Sequence, residues 1–94
     1  MKALREITPR ALKVLIALMH ARSNGSARVR ISYSTLARRV GYSRSHTARA
    51  CRELARGEVL TRISGRGEVL IVEINAESEI TRDLSRLSGA VRAA

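Results

Sequence analysis

Aromatic side chains are almost absent from this chain of 94 residues, which has no Phe, no Trp and only Tyr33 and Tyr42. The core must therefore be aliphatic, which the 45% hydrophobic content permits. Cys51 is the only cysteine, so an intrachain disulfide framework is excluded, and two scattered histidines do not indicate a zinc site. No apolar run approaches the roughly 20 residues of a membrane span, and the N-terminus lacks a signal-peptide pattern. These absences favour one soluble intracellular domain.

Acidic residues are also scarce, with eight Asp and Glu against eighteen Lys and Arg, which gives a formal charge of +10. This excess of positive charge is concentrated in one segment of the chain. Residues 28–56 hold eight arginines and one acid, Glu53, whereas residues 73–94 hold three arginines and four acids. Biased composition, also suggested by the lack of Gln, explains an arginine-rich chain but not this segregation. A basic segment of this kind favours a polyanionic partner, chiefly nucleic acid or an acidic membrane surface.

The first helix is predicted from Thr8, an N-cap residue, followed by Pro9 at the first helical position. We expect it to end near Arg22, where a Ser-Asn-Gly-Ser run follows. Its buried face is predicted from four apolar residues at the spacing i, i+3, i+4, i+7: Leu12, Leu15, Ile16 and Met19.

Two further helices are predicted on either side of a tight turn. Ser32 is the N-cap of a helix over about 33–39, and Gly41 supplies the sharp turn after it. Ser43 is the N-cap of a third helix that extends to about Arg56.

The periodicity then changes to that of strands. Residues 59–63 and 69–74 are β-branched and aliphatic, and the Ser-Gly-Arg-Gly run at 64–67 between them is typical of a hairpin. Residues 29–31 form either a brief strand or the lead-in to the second helix. A fourth helix is predicted over 78–93, with an apolar stripe at spacings of four, three and four: Ile80, Leu84, Leu87 and Val91.

Two short Ser-capped helices joined by a glycine turn have the pattern of a helix-turn-helix. Within residues 36–43, Leu36 and Val40 face the core and Ala37 is small enough for the helices to cross closely. With the hairpin included, residues 31–74 resemble the winged helix-turn-helix family, such as its small archaeal, plasmid or viral transcription regulators. The resemblance implies an α+β, mostly α fold with a three-helix core, a β-hairpin wing and here an additional C-terminal helix.

The expected organisation is a winged helix-turn-helix DNA-binding domain at residues 1–76 and a C-terminal dimerisation helix at 77–94. The apolar stripe of this last helix either packs onto the first helix of its own chain or forms the seam of a dimer. Since small winged-helix regulators often dimerise through terminal helices, the resemblance favours a homodimer with Ile80, Leu84, Leu87 and Val91 at the seam.

The third predicted helix has two different faces when its residues are projected at 100° each. The core face is predicted to contain Thr47, Ala50, Cys51 and Leu54. Ser45, Arg49, Arg52 and Arg56 cluster on the opposite side. A solvated helix face normally mixes charges of both signs, so three arginines and a serine favour a function for this face.

The family resemblance implies that this helix enters the major groove of DNA and reads bases with its N-terminal residues. The residues implied as readers of base edges are Arg44, Ser45, His46 and Arg49. Arg52 and Arg56 lie further along the helix and are expected to contact phosphates. A simple exposed cationic face remains the alternative.

The hairpin is the second element of the expected interface. Arg66 lies between two glycines at the predicted tip, and in winged-helix proteins the wing reaches the adjacent minor groove or backbone. Arg62 is expected to flank it, and Arg28 and Arg30 to add phosphate contacts. An ordinary solvated hairpin is equally compatible with the Gly-Arg-Gly turn.

The expected function is therefore sequence-specific binding of double-stranded DNA by a homodimeric transcription regulator that is cytoplasmic and nucleoid-associated. No catalytic constellation or nucleotide loop is present, so we expect no enzymatic activity, cofactor or metal. One alternative is an architectural or plasmid-partition adaptor that coats DNA with little specificity and also binds a protein. Another is a winged helix that serves protein interaction or RNA. No membrane partner is expected, since the third helix lacks a bulky apolar face.

Overall fold

The computed structural model describes residues 7–22 and 27–93, and the side chains of these residues as far as residue 86. In order these residues form α1 (Pro9–Ala21), β1 (Arg28–Ser32), α2 (Tyr33–Val40), α3 (Arg44–Arg56), β2 (Leu60–Ser64), β3 (Val69–Ile74) and α4 (Glu79–Ala93). The described part of the chain is thus α+β and mostly helical, and its arrangement is compatible with a winged helix. None of its helices has both the length and the apolar character needed to cross a membrane.

The predicted starts of the first three helices are confirmed. In each case the N-cap hydroxyl accepts a hydrogen bond from the amide three residues later: Thr8 from Ala11 at 3.1 Å, Ser32 from Thr35 at 3.0 Å and Ser43 from His46 at 3.1 Å. Gly41 ends α2 in the left-handed region with φ of 76°, as the turn requires. These local signals set the direction in which α3 leaves α2.

The predicted buried face of α1 is wrong except at Leu15, because the buried stripe lies one residue earlier. The residues buried in the core are Ala11, Val14, Leu15 and Leu18. Ile16 is 39% exposed, and Leu12 and Met19 are only partly buried. Nearly every residue from 11 to 19 is apolar, so two adjacent stripes both satisfy the helical spacing. Only packing against the other elements decides between them.

The three strands form one antiparallel sheet in the order β1-β3-β2. Residues 29–31 therefore belong to a strand, which pairs Val29 with Val72 and Ile31 with Leu70. These four side chains are buried and, together with Ile74, cover the core. Since side chains alternate along a strand, the neighbouring residues of β1 and β3 point to the opposite, outer face of the sheet.

The connection from α3 to β2 differs slightly from its predicted bounds. Val59 lies in the connection between α3 and β2 and not in β2, and its amide donates to the Leu54 carbonyl at 2.9 Å. The Glu58 amide donates to the Ala55 carbonyl at 3.1 Å, and Glu58 has a left-handed φ of 61°. This pair of bonds is a Schellman motif with glutamate in place of the usual glycine. It turns the chain from α3 directly into the sheet.

Helix α4 begins close to its predicted start, where the Thr81 amide donates to the hydroxyl of Ser78 at 3.1 Å. Ile80 and Leu84 are partly buried and pack against the core of their own chain. The side chains of Leu87 and Val91 lie outside the described residues. The described half of the predicted seam thus already has an intrachain partner, and the dimer remains a prediction.

Candidate nucleic-acid interface

The two faces predicted for α3 are observed. The buried residues of α3 are Thr47, Ala50, Cys51 and Leu54. The hydroxyl of Thr47 donates to the Ser43 carbonyl at 2.8 Å, so its burial leaves no polar atom unsatisfied. The six residues proposed from the sequence to contact DNA from this helix are all exposed: Arg44, Ser45, His46, Arg49, Arg52 and Arg56.

The exposed face of α3 keeps its positive charge. Within the described part of the chain, no carboxylate lies within ion-pair distance of Arg49, Arg52 or Arg56. Glu53, the only acid of this helix, instead faces the start of α1. Its carboxylate accepts from the Thr8 amide at 3.1 Å and from the Thr8 hydroxyl at 2.9 Å. The one negative charge of α3 thus serves to fix α1 and does not neutralise the arginines.

An open cleft of about 510 Å³ lies along one side of α3, where three arginines and a tyrosine meet. Its lining includes Tyr33 from the start of α2 and Arg44, Arg49 and Arg52 from α3. The Arg44 guanidinium lies 5.8 Å from the centroid of the Tyr33 ring, within cation–π range. Burial raises the pKa of Tyr33, while the charges of Arg52 and Arg44 act in the opposite direction. Tyr33 is therefore uncharged at neutral pH, and it lines a cleft that also contains three arginines.

A second cleft, of about 440 Å³, lies on the other side of α3 against the first turn of α1. Arg10, Tyr42 and Arg49 contribute to its lining. Arg10 and Lys13 lie 5.5 Å and 5.3 Å from the centroid of the Tyr42 ring. Sequence reasoning missed both cations, because some thirty positions separate them from Tyr42 along the chain. Arg49 lines both clefts and so lies at the centre of the cationic surface.

No protein-family model and no curated protein matches the sequence. Guanidinium groups donate in a planar fork that matches phosphate oxygens and the guanine edge. The described residues include no group of three or more His, Cys, Asp or Glu side chains placed to hold a metal ion. The arrangement can thus bind anionic and hydrogen-bond-accepting groups.

Cys51 lies on the buried face of α3 and packs in the core. The side chain is 1% exposed, and burial raises the pKa of its thiol to about 11. The thiol is therefore protonated and out of contact with solvent at neutral pH, which agrees with the core position predicted from the sequence.

The hairpin of β2 and β3, which corresponds to the predicted wing and is called the wing below, has Arg66 at its tip with its side chain exposed. The loop between the two strands comprises residues 65–68, one position later than predicted, and at its end the Val69 amide donates to the Arg66 carbonyl at 3.0 Å. Gly65 and Gly67 have φ values of 114° and 57°, which residues with a side chain rarely adopt. In the part of the chain that the structure describes, Arg66 has no acidic partner.

Glu68 ties the wing to the helices and was not identified from the sequence. Its carbonyl accepts from the Tyr33 amide at 2.8 Å, and its Oε1 from the Ser34 amide at 2.6 Å. Its Oε2 lies 2.9 Å from a guanidinium nitrogen of Arg44. Hydrogen bonding from Ser34 holds the pKa of Glu68 below its usual range, and the Arg44 charge acts in the same direction. The wing is thereby held beside the first residue of α3.

Three of the predicted DNA contacts lie elsewhere. Arg28, Arg30 and Arg62 are on the outer face of the sheet, on the side away from the helices. Glu73 lies between two of them, 3.6 Å from Arg28 and 3.8 Å from Arg62. Arg62 lies two residues before the end of β2, whereas Arg66 lies in the loop that follows β2. The structure therefore places these three residues on the sheet and not on the exposed face of α3.

Proposed function

We propose that the chain is a winged helix-turn-helix protein that binds double-stranded DNA, with α3 in the major groove and the wing on the adjacent minor groove or backbone. One observation carries this proposal. The exposed face of α3 holds three arginines without an acidic partner among the described residues, beside a wing whose tip is also an arginine. A helix with its side chains fits the major groove of B-DNA, which is about 12 Å wide.

The roles of the residues follow from their positions along α3. Those of its first turns are proposed to face base edges: Arg44, Ser45, His46 and Arg49. Arg52, Arg56 and Arg66 are proposed to contact phosphates. The two clefts lie on opposite sides of α3. When a helix lies in the major groove, the sugar-phosphate backbones of the two DNA strands likewise lie on opposite sides of it. Arg10 and Lys13, beside Tyr42, therefore extend the proposed phosphate-binding surface onto α1.

The biological role proposed is that of a sequence-specific transcription regulator that acts as a homodimer. Two α3 helices related by a two-fold axis bind half-sites about one duplex turn apart, which requires a palindromic site. The proposed seam is the apolar stripe of α4, Ile80, Leu84, Leu87 and Val91, and its support is that Ile80 and Leu84 are only partly buried in their own chain. A DNA-coating adaptor has the same interface but no preferred sequence.

The proposal is tested by selecting bound duplexes from a random pool and then titrating the selected and an unrelated duplex over a range of salt. Four or more phosphate contacts predict that affinity falls by about 100-fold or more between about 50 and 200 mM salt. A palindromic consensus and a large ratio between the two affinities support the regulator. A ratio near one supports the DNA-coating alternative. A flat salt response, or no duplex binding, contradicts the proposal.

A further inference from the structure

Glu68 is an acidic side chain that contacts an arginine of the proposed interface directly. Its carboxylate lies 2.9 Å from Arg44, the first residue of α3, whereas Glu53 is turned toward α1. An acid is unfavourable at this place, because it repels the phosphates that the neighbouring arginines attract. The position of Glu68 therefore calls for an explanation in terms of what it does to Arg44.

The carboxylate of Glu68 is held by the backbone before it meets Arg44. The Ser34 amide bonds to its Oε1, and the Tyr33 amide bonds to its carbonyl. These two bonds satisfy amides of the first turn of α2 and leave Oε2 directed at Arg44. Most exposed ion pairs are weak, partly because two long side chains must be ordered. Here one partner is already ordered by α2.

Arg44 is consequently held from two sides, by the Glu68 carboxylate and by the face of the Tyr33 ring at 5.8 Å. Its side chain is still 58% exposed, so guanidinium N–H groups remain open to a further acceptor. A neutral acceptor such as a base edge can share the guanidinium with the carboxylate. A phosphate beside Glu68 meets like-charge repulsion unless the ion pair breaks.

We propose that Glu68 is a specificity-determining positioning residue, which holds Arg44 for a base edge and withholds it from phosphate. This inference rests on the proposed function and deepens it. Without the Glu68 carboxylate, the Arg44 side chain is free to contact the phosphates of any duplex. Glu68 thus lowers the affinity for unrelated DNA more than the affinity for the preferred site.

The test is Glu68→Gln, measured on the selected and on an unrelated duplex over a range of salt. The amide oxygen of glutamine can still accept from Ser34, so folding is preserved while the negative charge is lost. We expect affinity for the unrelated duplex to rise by about fivefold to tenfold at low salt. The slope of log affinity against log salt steepens by about 0.9, the value of one added phosphate contact. The ratio between the two duplexes falls.

Two controls assign the effect to Arg44. In an Arg44→Ala background, Glu68→Gln leaves the slope unchanged, because the cation that it releases is missing. Glu77→Gln removes the same charge from an exposed residue at the other end of β3 and leaves binding unchanged. An equal melting temperature for the wild type and Glu68→Gln shows that the α2 cap is retained.

The outcomes separate this inference from the proposed function. If the wild type binds duplex DNA with a steep salt dependence but Glu68→Gln does not differ from it, Glu68 has a structural role only and the inference is overturned. A slope that steepens equally in the Arg44→Ala background also overturns it, because the effect then reflects net charge. Failure of the wild type to bind any duplex overturns the proposed function and this inference together.

Discussion

Replacing Arg49 by alanine is expected to lower affinity for the preferred duplex by about 10- to 100-fold, corresponding to roughly 1–3 kcal/mol for a base contact. Arg49 is exposed on α3, lines the clefts on both of its sides and has no acidic partner within the described residues. Its removal therefore leaves a gap at the centre of the proposed interface. The affinity for an unrelated duplex should fall less, so sequence preference is relaxed.

The matched control for this substitution is Arg82→Ala. Arg82 is an exposed arginine of α4, so its replacement removes the same charge away from α3. Arg66→Ala is a second comparison, in which we expect a similar loss on every duplex and a salt slope shallower by about 0.9. Fluorescence anisotropy with both duplexes measures all three variants. Equal effects of Arg49→Ala and Arg82→Ala would indicate that only net charge matters, contrary to the proposed geometry.

Gly65→Ala is expected to cause the largest loss of stability among substitutions in the wing. A Cβ at this position would lie 2.2 Å from the Val69 carbonyl oxygen, and the φ of 114° is unfavourable for any residue with a side chain. Neither problem is relieved by rotating a side chain, so the turn must be rebuilt. We expect a loss of about 3 kcal/mol or more in the free energy of unfolding. Urea denaturation measures it.

Gly67→Ala provides the control in the same turn. Gly67 also has a positive φ, 57°, but a Cβ there meets nothing within 4 Å. The only penalty for alanine there is the left-handed backbone conformation, which lowers the free energy of unfolding by about 1 kcal/mol. A rebuilt turn also displaces Arg66, the proposed phosphate contact at its tip, so Gly65→Ala should weaken duplex binding as well. Equal stability of the two variants would contradict the clash at Gly65.

The features predicted correctly depend on residues close together in sequence. N-caps at Thr8, Ser32 and Ser43 are each determined by a hydroxyl and an amide three positions later. Gly41 was predicted from the demand for a sharp turn, and α3 has only one apolar face. At these positions the local sequence pattern is compatible with only one structure.

The features missed depend on contacts between distant residues or on a choice between equivalent patterns. The buried face of α1 was misassigned because α1 is apolar nearly all round, so packing alone selects Ala11 over Leu12. Glu68 was missed because its partner Ser34 is 34 positions away. The pairing of Arg28 and Arg62 with Glu73 was missed because only the strand register places both arginines beside this residue. Long-range geometry of this kind leaves no local signal.

Mapping backbone amide chemical shifts during titration with the selected duplex most directly tests whether the arginine face of α3 is the DNA-binding surface. We expect the largest changes at residues 43–56 and at the wing tip, residues 65–68, with smaller changes near Arg10 and Lys13. The outer face of the sheet, around Arg28 and Arg62, should change little. Largest changes on that face or along α4, with α3 unaffected, would contradict the account.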